Sequence, residues 1–213
     1  MKIKKKIAYK HKSNSREILY ALIEYPKYCK LLLDNNKAYY QLLKWVINFS
    51  YNKTEETLIP DIKNVSKETS ISYNIIAKYI ADIYNDVFEL NYDKPNKFII
   101  DKQTACRVSF NYLGSYASFV VGFNYIPRVG EQFNFPFIKP KMGAELFWVK
   151  EVTHEMLDGY QIITIYLTYD EPNNYLQLLK EKAYLHHELD WMEYRGELDS
   201  DVKEKLIRYN HNL

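Results

Sequence analysis

The apolar positions of this chain recur with two different periods, and the switches between them divide it into three parts. The first part is helical. Ile18, Leu19, Leu22 and Ile23 share one face of a helix that Ser15 can cap and that ends before Pro26. Tyr39, Leu42, Leu43, Val46, Ile47 and Phe49 mark a second helix over 38–51. Pro60 can open a third over 60–68, with Ile62 and Val65 facing inward. Thr69-Ser70-Ile71-Ser72 then makes a turn with Ile71 as its apolar plug. Ser72 caps a longer helix over 73–88, striped by Ile75, Ile76, Tyr79, Ile80, Ile83 and Val87. Residues 88–92 and 97–101 are predicted strands around a tight turn at Asp93-Lys94-Pro95-Asn96.

In the middle of the chain the period falls to two. Cys106, Val108, Phe110 and Tyr112 alternate with Arg107, Ser109 and Asn111, the pattern of a half-buried strand. Residues 119–123 form a second candidate. Phe133, Phe135 and Phe137 alternate around Pro136, which points to an edge strand or a bulge. Residues 146–156 and 160–169 flank Asp158-Gly159, a strong hairpin signal. Five short strands predict a small antiparallel β-barrel or sandwich. Helical spacing returns over 174–194, with Gly196 as the residue past its end. A last short helix, capped by Asp199 or Ser200, carries Val202, Leu206 and Ile207. The predicted fold class is therefore α+β. Its parts are an arm at 1–16, a helical domain at 17–103, a β-domain at 104–170 and C-terminal helices at 171–213.

Composition narrows the function more than it names it. A hydrophobic content of 47% is enough for a packed core. No apolar run approaches the roughly 20 residues of a spanning helix, and no apolar segment follows the N-terminal lysines as a signal peptide requires. The expectation is a soluble intracellular protein. Cys29 and Cys106 have no CxxC neighbour, so two buried free thiols are expected in place of a zinc site or disulfide framework. Only 6 glycines occur, few for loops that cradle phosphates.

Candidate chemistry is thin. Adjacent helical histidines at His186-His187 point about 100° apart and share a metal poorly, so one packed and one solvated ring is expected. Glu151 and His154 are three apart on a strand and should face opposite ways. GxSxG, P-loop, GxGxxG and CxxC patterns are missing from the sequence. The expectation is a non-enzymatic chain with no cofactor, no metal and no small-molecule substrate.

Helix, turn, helix and predicted hairpin over 38–101 resemble the winged helix-turn-helix superfamily, with Ser70 where that turn usually has glycine. The resemblance implies that Ser72, Tyr73, Asn74 and Lys78 would face DNA. Charge argues against that use. Residues 50–102 hold seven lysines, no arginine and nine acids, and Asp82, Asp86 and Glu89 follow the single Lys78 on the same helix. The basic arm, with Lys2, Lys4, Lys5, Lys6, Lys10, Lys12 and Arg16, is the better candidate for nucleic acid or an acidic protein surface.

Taken whole, the helical module, small β-domain, helical ends and 21 tyrosines resemble the ring or neck proteins at the head-to-tail junction of crAss-like tailed phages. That resemblance implies a virion protein, assembled in the host cytoplasm. Its partners would be copies of itself in a ring and neighbouring structural proteins, with non-specific nucleic-acid contact through the arm. The alternative is a winged helix-turn-helix regulator that binds DNA in the cytoplasm.

Overall fold

The structure, a computed structural model, describes residues 13–33, 37–54, 57–171, 174–195 and 200–211. Compact units span Met1–Asp170 and Glu171–Leu213. The chain is α+β, with a curled five-stranded sheet forming half a barrel.

Helix α1 is Ser15–Glu24, capped by Asn14 one residue before the expected Ser15; the Asn14 side chain accepts from the Glu17 N–H at 2.9 Å. Pro26 ends α1 and also opens a short α2, Pro26–Lys30, because a first-turn proline gives up no intrahelical bond. Helix α3 is Tyr40–Asn52 and α4 is Ile62–Thr69. Asp61 caps α4, accepting from the Asn64 N–H at 2.8 Å, so the helix starts past Pro60.

Helix α5 runs Tyr73–Asp93, well past the predicted end. This removes the expected wing. Residues 88–92 are helical, and Pro95–Phe98 form a 3-10 turn where the second strand was expected. The cause is Asn91. Ile76, Ile80, Ile83, Tyr84 and Val87 form a buried stripe that continues through Asn91, 3% exposed. Its amide donates to the Val120 carbonyl at 2.9 Å and accepts from the Val120 N–H at 2.8 Å. A polar residue thus completes the helix stripe and hides its period from the sequence. Ile75, counted in that stripe, is instead exposed.

Strands β1 (Thr104–Tyr112) and β2 (Ser115–Phe123) form a hairpin. Then come β3 (Gln132–Asn134), a short α6 (Lys139–Met142), β4 (Leu146–Leu157) and β5 (Tyr160–Thr168). The sheet order is β2-β1-β5-β4-β3. It is not wholly antiparallel as expected. β5 returns beside β1 in parallel, Cys106 opposite Ile163 and Phe110 opposite Leu167, after the excursion through β3 and α6. The alternating phenylalanines are likewise not one strand: β3 stops at Asn134 and Pro136 opens a 3-10 turn over Pro136–Ile138.

Helices and sheet share one core, running from Ile18 in α1 to Leu167 in β5. Phe137 is its centre. Rings of Tyr25, Tyr28, Tyr84, Phe88, Phe119 and Phe135 lie 5.1–6.0 Å from it, drawn from α1–α2, α5, β2 and its own turn.

In the second unit the predicted helix over 174–194 divides into α7 (Asn174–Leu185) and α8 (Trp191–Arg195), followed by α9 (Ser200–His211). The break is a Schellman-type stop. His187 takes φ 62°, its N–H donates to the Tyr184 carbonyl at 3.0 Å, and the Glu188 N–H donates to the Ala183 carbonyl at 2.8 Å. Gly196, expected to end that helix, lies outside the described residues. The unit's core is Leu179, Ala183, Leu189, Val202, Leu206 and Tyr209, with Ile207 exposed.

Candidate functional site

The α4–turn–α5 segment is built as the sequence suggests. Ser70 takes the left-handed conformation, φ 56° and ψ 22°, that glycine usually supplies. Side chains hold the turn closed. Gln41 of α3 donates to the Thr69 carbonyl at 2.9 Å, Ser66 donates to the Ile71 carbonyl at 2.6 Å, and Ile71 packs on the core. Ser72 stands at the cap position of α5 but makes no side-chain cap bond. Ser72, Tyr73, Asn74 and Lys78 are all exposed at this end of α5.

Further along α5, one of its acids makes an intramolecular tie. Asp86 accepts a short hydrogen bond from the Tyr39 hydroxyl and pairs with Lys37 at 2.8 Å. The Asp86 hydrogen bond and charge, helped by Glu89 and Asp82, hold the Lys37 ammonium above its ordinary value. Burial, then the same carboxylate, pushes the Tyr39 phenol up. Asp86 therefore anchors the segment before α3 as well as adding negative charge to the α5 surface.

Of the predicted basic arm, only Arg16 falls among the described residues; Lys2, Lys4, Lys5, Lys6, Lys10 and Lys12 lie outside them. Arg16 lines a groove of about 890 Å³ with Glu17, Tyr20, Lys53 and Lys139. Its cations are partly committed, since Lys53 pairs with Glu24, and Lys139 with Glu145 at 3.0 Å.

Strongly shifted groups lie in the core. Burial raises Tyr25 to about 12, against a bond to the Phe137 backbone, and raises Cys29 to about 12; it also pushes up Tyr28, Tyr84 and Cys106. Both cysteines are free and buried. Glu193 is lowered by its hydrogen bond from Lys205 and one from the Asp190 backbone. These shifts stem from packing and pairing and do not assemble an acid–base pair in a cleft. Glu151 and His154 sit opposite Tyr166 and Ile163, on opposite faces of β4, and the His154 ring bonds Gln161 at 2.9 Å. His186 and His187 are both exposed, so the expected packed ring is absent; His186 leans on Tyr209 at 5.8 Å. Among the described residues, no group of three or more His, Cys, Asp or Glu could hold a metal, and no helix is long and apolar enough to cross a membrane.

The most distinctive surface feature is one the sequence marked only as a hairpin. β3 pairs with β4 only over Leu146–Trp148, so beyond Trp148 no described strand covers the outer edge of β4. The β4–β5 ladder continues to Leu157 opposite Tyr160. Met156, Leu157 and Tyr160 at its tip are 71%, 60% and 77% exposed. At the opposite edge of the sheet, Asn91 occupies the N–H and carbonyl of Val120 in β2. The edge itself carries exposed Lys150, Glu151, His154 and Glu155, and its tip is an exposed apolar patch of the kind that marks an interaction surface. No family model, curated protein or solved structure matches this chain.

Proposed function

We propose that this chain is a non-enzymatic structural protein that works through protein–protein contacts, as a ring or adaptor subunit at the portal–neck–tail junction of a phage virion. The observation that carries this reading is the β4–β5 hairpin, with an uncovered strand edge and an apolar tip. Such a surface suits a permanent neighbour better than solvent. The core location of the strongly shifted tyrosines and cysteines supports the reading, since packing accounts for them without a reaction. The test is electron microscopy of assembled particles. Rings of identical copies with residues 150–161 buried against protein are expected.

The second reading, a helix-turn-helix regulator, draws on the exposed Ser72, Tyr73, Asn74 and Lys78. Its wing is replaced by helix and a 3-10 turn. Duplex binding measured against salt decides between them. Tight, sequence-dependent binding abolished by Asn74→Ala and Lys78→Ala would overturn the structural reading.

A further inference from the structure

The unit Met1–Asp170 carries a second surface that opposes the hairpin tip in charge. A groove of about 540 Å³ lies between α2, the end of α3, the 3-10 turn at Pro95–Phe98 and the end of β2. Tyr25, Tyr28, Tyr51 and Phe98 line it, and Lys27 and Lys97 stand exposed at its margin. The floor is rigid. Tyr25 stacks on Tyr28 at 5.3 Å, and Tyr28 packs on Phe98 at 5.2 Å. Lys30 sits over the Tyr51 ring at 4.1 Å and adds a further cation beside the groove. The one acid in the lining, Glu24, is already paired with Lys53. The groove is thus aromatic and cationic.

The hairpin is apolar and acidic. Residues 150–161 hold one lysine against three acids, Glu151, Glu155 and Asp158, all exposed beside Met156, Leu157 and Tyr160. None of its residues lines the groove of its own chain.

We propose that the β4–β5 hairpin tip of one copy seats in the aromatic groove of a second copy, with Glu155 and Asp158 facing Lys27 and Lys97. A chain that carries both a protruding apolar knob and a groove of opposite charge is complementary to itself. Repetition of such a contact closes a ring or, where the rotation does not close, extends a filament, while a reciprocal contact pairs two copies. The inference rests on the structural reading above and supplies its contact surface.

The experiment uses the full chain. Sedimentation velocity compares wild type with a hairpin variant, Glu155→Lys/Asp158→Asn, and a groove variant, Lys27→Glu/Lys97→Glu; asparagine is chosen because position 158 holds φ 49°, which it adopts as readily as aspartate. Each variant alone is expected to weaken self-association by about tenfold or more, and an equimolar mixture of the two is expected to restore it. All four positions are exposed, so circular-dichroism melting should match wild type and separate lost contact from lost fold. An independent arm mixes Leu157→Cys with Ile100→Cys. Cys29 and Cys106 are buried, and peptide mapping separates the mixed 157–100 disulfide, which reports the contact, from the 157–157 and 100–100 species, which do not. A wild-type chain that stays monomeric at millimolar concentration overturns the inference, as does association that neither charge variant disturbs. In the second case the structural reading stands without this contact. A reciprocal pair that never grows beyond two copies upholds the contact and removes the ring.

Discussion

At the scale of single residues, three positions hold more of the fold than their types suggest. Phe137 meets six other rings from four parts of the unit, so Phe137→Ala should cost about 3–5 kcal/mol, read as a lower midpoint in urea unfolding. Ser70 holds a left-handed conformation that costs an L-residue about 1 kcal/mol. Ser70→Gly should return part of that cost, less the entropy glycine adds to the unfolded chain, and raise Tm slightly. The buried phenols and thiol give a pH dependence. Tyr25 rises from 10.0 to about 12 and Cys29 from 9.0 to about 12. Each binds its proton more tightly folded than unfolded, so its contribution is whole below the unfolded value and lost as pH rises towards the folded one. Thermal melts should therefore fall between pH 9.0 and about 12, followed as loss of helix signal by circular dichroism. Ser70 was legible in the sequence as the exception in its turn. Phe137 was legible as apolar, but its central place depends on rings brought together from distant segments.

At the scale of elements, periodicity located most helices and strands and failed where a polar side chain or a proline carried the structure. Asn91 is the clearest case. Read as part of a strand, it is the polar member of the α5 stripe and the cover of the β2 edge. Asn91→Leu keeps approximate volume but leaves the Val120 N–H and carbonyl without these partners, a loss of about 1–3 kcal/mol. The same change uncovers a sheet edge, so the variant should also aggregate faster at equal stability, measured by light scattering against a destabilised control such as Phe137→Leu. Pro136 and Pro26 show the other failure. Pro26 was read as a stop and Pro136 as the mark of an edge strand or a bulge, yet each opens a new helical turn, because its fixed φ fits the first helical position. The β4–β5 hairpin was plain from Asp158-Gly159, both at positive φ, yet the sequence did not reveal that its outer edge is uncovered. That property depends on how far β3 extends, which pairing decides and local pattern does not.

At the scale of the molecule, the residues that hold each unit together lie within it. The cluster from Ile18 to Leu167 is complete inside Met1–Asp170, whereas Glu171–Leu213 has only Leu179, Ala183, Leu189, Val202, Leu206 and Tyr209. A chain of 1–170 should therefore fold alone and unfold in one cooperative step with nearly the wild-type midpoint. The segment 171–213 stands differently. It has no cysteine for a disulfide, its helices are short, and the Tyr209 hydroxyl is buried without a described partner. Helices of 12 residues are marginal in isolation, and a unit near 40 residues seldom buries enough apolar surface to offset its chain entropy. As a separate peptide, 171–213 should show weak far-ultraviolet helix signal without a sharp melt. Titrating the 1–170 chain into it gives the decisive measurement. Recovery of helix signal would mean that the segment folds on the larger unit, while its absence would leave a further partner to supply the missing surface.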